Sequence, residues 1–306
     1  MTDDNRLYSA AHFALELDGK DEIGLFRSIE GGSVRNDVMT YQNGATYDRW
    51  RQLGKPKFED IKLQVGMAMS KPFYEWIKNF FDGIPDRKNG AIVAADFHYE
   101  ERARREFTDA IIHELTFPKL EGGDVNAAYM SIALAVEGLV FKKCDRGRKL
   151  SIPTGFDEQK LWTACNFRFR IDGLPVECFT RVAKIDSFTV KQNVLEYHSG
   201  GRRTPSKTPS QIDFPTITFY VPEADAQPLM DHYTKRGVDG GVRPAETLTG
   251  MIQTMDNEYN DLFTLSFAGA DIANIQPDKS DAASEEFKMV KVDLYTESMK
   301  FEYTPS

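Results

Sequence analysis

The chain states one pattern twice. His12-Phe13-Ala14-Leu15-Glu16-Leu17-Asp18-Gly19 returns as Asn166-Phe167-Arg168-Phe169-Arg170-Ile171-Asp172-Gly173, so the two Asp-Gly pairs stand 154 residues apart. Tyr41 and Tyr197 are 156 apart, as are Ile61, Leu63 and Val65 from Ile217, Phe219 and Val221. Val136-Glu137-Gly138-Leu139-Val140-Phe141 meets Thr296-Glu297-Ser298-Met299-Lys300-Phe301 at 160. A fixed spacing kept in order along the chain predicts two copies of one unit. At about 150 residues that unit is domain-sized, which points to a duplicated domain and not a solenoid.

Each copy opens on strand signals. Phe13, Leu15 and Leu17 alternate with Ala14 and Glu16 before the Asp18-Gly19 turn. An extended segment runs from about Ile23 to Tyr41, with Gly31-Gly32 as a bulge or bend, and Asn43-Gly44 turns the chain. Lys57 to Gly66 reads as the next strand. Ser70 then serves as N-cap and Pro72 sits in the first turn of a helix that carries Phe73, Trp76, Ile77, Phe80 and Phe81 on one face. That aromatic stripe is core, closing one side of a β-barrel or sandwich. Strands near Ala91–Phe97, Ala110–Phe117 and Ala127–Phe141 finish the first copy.

The second copy repeats the order: strands at Phe167–Ile171, Arg181–Tyr197 and Phe214–Val221, a helix over Ala226–Arg236 with Leu229 and Tyr233 in its core, then Leu262–Ala268 and Phe287–Tyr303. Charge, Pro and Gly mark a connector between the copies. The expected division is residues 1–143, a linker at 144–161, and 162–306.

With 41% hydrophobic and 12% aromatic residues, each half can bury a core. A net charge of −9 argues against a nucleic-acid-coating surface. Three cysteines without CxxC spacing suggest neither a disulfide framework nor a zinc knuckle. The polar start and the lack of a long apolar run predict a soluble protein assembled in the cytosol. Phosphate-binding loops, nucleophile elbows and HExxH are missing, and the five histidines lie apart. No catalytic residue, metal or cofactor is expected. Glu100-Glu101 beside Arg102, Arg104 and Arg105 reads as a solvated helix face or an inter-subunit contact. Lys142 to Lys149 reads as a polar linker, and Arg202-Arg203 with Lys207 as a stacking loop, in preference to phosphate contacts with passing DNA.

The stretch from Thr40-Tyr41-Gln42-Asn43-Gly44 through Arg51-Gln52-Leu53-Gly54-Lys55-Pro56-Lys57, the strand ending at Gly66 and the Trp76-Ile77 pair resembles the tail tube proteins of T4-type contractile phages and the inner tubes of contractile injection systems. The likeness covers about Phe13 to Phe141. The second copy keeps the strands, turn and helix position but replaces the Lys-Pro loop by Gly201–Pro209 and Trp76 by His232. The resemblance implies a mainly β fold: two tandem tail-tube-like β-barrel or sandwich domains, each with one short helix packed on the sheets.

It also implies a non-enzymatic virion or particle component. Such subunits close as six-membered rings that stack, so three two-domain chains would make a pseudo-sixfold ring of the inner tube or of its baseplate-end or cap-end extension. The implied partners are further copies, as trimer or hexamer, with tube, sheath or baseplate proteins of the same tail or phage-tail-like particle, and DNA or protein cargo in the lumen. Implied ring-stacking or subunit contacts are Tyr41, Asn43, Gly44, Arg51, Lys55, Lys57, Tyr197, Arg202, Arg203 and Lys207. The alternatives are an effector or carrier, or a ligand-binding β-sandwich.

Overall fold

The fold follows from where alternation in the sequence is two-sided and where it is one-sided. The computed structural model describes residues 12–42, 44, 47–67, 69–144, 147–150, 162–240, 247–277 and 287–304. The first half runs β1 (His12–Leu17), β2 (Lys20–Phe26), β3 (Ser28–Gly31), β4 (Val34–Gln42), β5 (Arg49–Phe58), β6 (Ile61–Val65), α1 (Lys71–Phe81), β7 (Lys88–Ala95), β8 (Glu101–Phe117), β9 (Leu120–Glu121), β10 (Met130–Ala135) and β11 (Gly138–Lys142). The second runs β12 (Phe167–Asp172), β13 (Lys184–Ile185), β14 (Phe188–Tyr197), β15 (Ser206–Asp213), β16 (Ile217–Pro222), α2 (Gln227–Tyr233), β17 (Leu248–Met255), β18 (Asp261–Pro277), β19 (Met289–Tyr295) and β20 (Ser298–Tyr303).

Strands β6 and β16 alternate cleanly, with Ile61, Leu63, Val65, Ile217, Phe219 and Val221 all fully buried and the residues between them turned outward. The 17-residue strands β8 and β18 each serve two layers. Early residues of β8 pair with β7 and β11, and its later residues pair with β10. Asp109 (φ 51°) bends β8 at the changeover, and Gly269 (φ 66°) stands at the matching place in β18.

Hydrogen bonds recur at the sequence spacings. Asn36 Nδ2 donates to Gly54 O at 3.0 Å beside a bulge, and Gln192 Nε2 donates to Ser210 O at 2.9 Å beside the matching bulge, both shifted by 156. Asp96 and Asp256, 160 apart, each close a turn by accepting two backbone N–H groups, with Tyr99 and Tyr259 at positive φ.

Several boundaries differ from the sequence reading. The predicted Ile23–Tyr41 segment is broken twice: a bend at Arg27 parts β2 from β3, and Gly31 and Gly32, at φ 78° and 70°, part β3 from β4. Arg51 to Lys57 is not a loop but part of β5, and Lys207 to Pro209 lies in β15. The charge run is not helix: Glu101–Arg105 opens strand β8, and Glu100 just before it makes a single bridge to Lys149. Glu101 is buried there because Arg104 bonds it at 2.8 Å while gripping both oxygens of Glu16 at 2.6 and 2.8 Å. Those carboxylates hold the Arg104 guanidinium well above its usual pKa. The α2 helix stops at Tyr233 and continues as a single π turn over Thr234–Val238. Ser70 stands at the N-cap of α1 but makes no side-chain capping bond.

Candidate functional site

The two halves share their sheets. The first contains β2-β1-β7-β8-β10-β6-β3 and also takes β14 and β15 from the second half; the other contains β12-β17-β18-β19-β16-β13 and takes β9 from the first half. Phe188, Thr189, Val190 and Lys191 of β14 lie opposite Phe117, Thr116, Leu115 and Glu114 of β8. Backbone pairing of this kind gives affinity, and the alternate side chains give specificity. Thr116 and Thr189 meet at 2.9 Å through their hydroxyls, and Ser187 Oγ donates to Phe117 O at 3.0 Å. Phe188 stacks on Phe117 at 5.0 Å between ring centres.

The helix α1 completes this junction. Phe73, Tyr74, Trp76, Ile77, Phe80 and Phe81 are all buried, each worth about 1.5–3 kcal/mol of hydrophobic burial. Tyr74 stacks on Tyr303 at 3.8 Å and Phe81 on Phe301 at 6.0 Å, both across to β20. Burial drives the Tyr74 hydroxyl pKa far up, so it stays neutral. Trp76 donates its ring N–H to Asp86 O at 2.9 Å. Leu229 is fully buried in α2, and Tyr233 packs against the core from a half-buried position.

A buried carboxylate closes the edge. Glu137 Oε1 accepts the Lys207 backbone N–H at 2.7 Å and Arg87 Nη1 at 2.8 Å, while Arg87 Nη2 donates to Lys207 O at 2.5 Å. Lys207 Nζ reaches Asp60 at 3.7 Å, and His113 Nε2 reaches Asp60 at 3.1 Å. Burial pushes the Asp60 pKa up, but bonding and charge from His113 and Lys207 outweigh it and hold the carboxyl below its ordinary value.

The expected contact residues divide into two groups. Tyr41, Arg51, Tyr197 and Arg203 are exposed, and Gly44 has open space around it. Lys57 pairs with Asp37 at 2.6 Å within its own hairpin. Lys55 Nζ donates to Arg202 O at 3.4 Å, which sets the tip of the β14–β15 hairpin against the base of the β4–β5 hairpin. Lys207 departs from expectation: it is buried against Glu137 inside the chain and does not project as a stacking loop. Asn43 lies outside the described residues, as does most of the 144–161 connector. Of that connector, Arg148 docks on Glu16 at 3.2 Å and Leu150 N–H bonds Tyr99 O, so this part is held against β8.

Sequence reading missed Glu137, Arg87 and the aromatic pair Tyr74–Tyr303. Their partners are distant in the chain, and no local period marks them. Among the described residues no cluster of His, Cys, Asp and Glu could hold a metal, and no helix is long and apolar enough to cross a membrane.

Residues 9–140 match the family model described as T4-like virus tail tube protein gp19. No curated protein gives a significant match. Among solved structures, the chain is similar to one from the PVC sheath–tube complex of an extracellular contractile injection system in its extended state, at 16% identity and TM-score 0.39, covering 46% of this chain and 94% of that one. It is similar to one from the tube-terminating cap of the anti-feeding prophage, at 18% identity and TM-score 0.38, covering 45% and 93%. A third, from the sixfold-symmetrised anti-feeding prophage baseplate, aligns at 14% identity and TM-score 0.35, covering 45% and 91%. The tail tube family model thus matches the first part of the chain, residues 9–140, and leaves the rest unmatched.

Proposed function

We propose that the protein is a non-enzymatic structural subunit of a contractile phage tail or phage-tail-like injection particle, forming a ring of the inner tube or of its baseplate-end or cap-end extension. The tail tube match over residues 9–140 carries this reading. The proposal takes residues 162–306 as a second, diverged domain of the same kind. The recurrence of bulges, turn bonds and strand registers at shifts of 156 and 160 supports that division. Three chains then supply six domains to a pseudo-sixfold ring. In this reading the β14–β8 junction is a subunit contact fused into one chain.

The divergence of the second half favours a specialised ring, since unequal domains offer unequal faces to the proteins above and below. Cryo-EM of assembled particles tests this. One ring at an end of the tube is the expected result; stacked copies along the whole tail would replace it with a major-tube role. A protein that stays monomeric at every concentration, and never joins a particle, would overturn the ring.

A further inference from the structure

We propose that a second copy of this chain places its β4–β5 hairpin against the free edge of β18, in the register that β14 uses on β8. The proposal rests on the ring reading above and adds which strands meet and what lines their contact.

The two hairpins are built alike. Val38 faces Leu53 where Val194 faces Pro209, and Tyr41 faces Trp50 where Tyr197 faces Ser206, all shifted by 156. Yet β14 adds to β8, whereas β4 pairs with β5 alone among the described residues. The acceptor is equally duplicated. Glu114–Phe117 of β8 lies between β10 and β14, while its counterpart at 274–277 pairs with β19 on one side and with no other described strand.

Burial separates the filled junction from the open one. Val190 is 0% exposed against Leu115, whereas its counterpart Val34 is 38% exposed. Phe301 is 1% exposed beneath α1, whereas its counterpart Phe141 is 62% exposed. A head-to-tail contact would bring α2 of one chain over Phe141 of the next while the hairpin fills β18, so both exposures close together. Pro277 stands where β8 has Phe117 and lacks an N–H, which ends the added pairing one residue earlier. Gly31 and Gly32 give the hairpin a bend that the second half does not have, letting Ser33 and Val34 swing onto the edge.

The new contact has its own chemistry. In the filled junction Trp76, Phe80 and Ile111 face Gln192 and Pro209 of the hairpin. The same positions in the open one are His232, Arg236 and Asp271, facing Asn36 and the 62% exposed Leu53 of the second copy. Asp271 holds both His232 and Arg236 at 3.0 Å. The chain-to-chain contact is therefore charged where the internal one is apolar, which keeps the two hairpins from exchanging seats.

Thr116 and Thr189 touch in the filled junction, and their counterparts are Gln276 and Ser33. The Ser33→Cys/Gln276→Cys double variant should yield covalent trimers after mild oxidation of the assembled protein, and neither single variant should. Trimers by native mass spectrometry without that cross-link would overturn the register while leaving the ring. A species that is monomeric by mass at every concentration and gives no cross-link would overturn both.

Discussion

Glu137 Oε1 takes the backbone N–H of Lys207 at 2.7 Å, so a buried carboxylate in the first half pins the hairpin of the second. Glu137 is 7% exposed, and its removal takes the acceptor from Arg87 Nη1 and from the Lys207 N–H. Leaving such partners unmet costs about 1–3 kcal/mol. Glu137→Ala should therefore lower stability by that amount in urea unfolding, while Glu297→Ala, at the exposed counterpart, should stay within about 0.5 kcal/mol. Equal losses in the two variants would refute the asymmetry.

The aromatic counterparts give a second contrast. Phe301 packs against Phe81 and Phe263 at 6.0 and 5.3 Å between ring centres, whereas Phe141 is 62% exposed. Phe301→Ala should cost about 3–5 kcal/mol. Phe141→Ala should leave the unfolding midpoint of the isolated chain almost unchanged. Its effect should show as weaker self-association in sedimentation velocity.

Much of the fold was legible where one face of a strand is buried. Ile61, Leu63 and Val65 alternate because β6 has one face in the core, and Phe73 to Phe81 keep a helical period because α1 buries one stripe. The tail tube likeness read around Tyr41 and Trp76 agrees with the family match to residues 9–140. Arg51 to Lys57 gave no such signal. That strand is exposed along most of its length and, among the described residues, pairs only with β4, so no core imposes a period on it. The Glu100–Arg105 run misled for the opposite reason: Glu101 is buried by pairing with Arg104, and charge at a buried strand position looks the same in sequence as charge on a wet helix. The Glu137–Lys207 contact joins residues 70 apart and leaves no local pattern to read.

Acid should loosen the junction. Partners hold Asp60 below its ordinary pKa of 3.8 despite burial. A depressed carboxyl contributes stability that is complete above the unfolded-state value and is lost as pH falls from there through the lower folded value. Unfolding free energy measured from pH 6 to pH 2 should fall less steeply below about pH 4 in Asp60→Asn than in the parent. Parallel curves would show that Asp60 carries none of the acid sensitivity.

Two glycines admit an aromatic ring against the sheet. A Cβ at Gly90 would lie 2.2 Å from Glu16 O and 2.6 Å from Phe107 Cζ; at Gly250 it would lie 2.3 Å from Arg170 O and 2.4 Å from Phe267 Cζ. The backbone oxygen cannot step aside without breaking the β1–β7 or β12–β17 pairing. Gly90→Ala and Gly250→Ala should each cost about 1–3 kcal/mol or more, by similar amounts, in chemical denaturation. A neutral result at either position would mean the sheet gives way there.

The buried pair of Arg236, in the π turn after α2, and Asp271, in β18, makes the sharpest energetic prediction. Asp271, 6% exposed, pairs with His232 and Arg236, both at 3.0 Å, where the first half holds Ile111, Trp76 and Phe80. Removing one partner from a buried ion pair costs about 3–5 kcal/mol, because the remaining charge is left without compensation. Replacing the whole cluster by packed apolar groups is often neutral or stabilising, since the desolvation penalty disappears with the charges. Asp271→Asn should thus strongly destabilise the isolated chain, and the triple variant His232→Trp/Arg236→Phe/Asp271→Ile should recover most of that loss in the same urea titration. A triple variant as unstable as the single one would mean that the second half has repacked around its charges and no longer accepts the residues of the first.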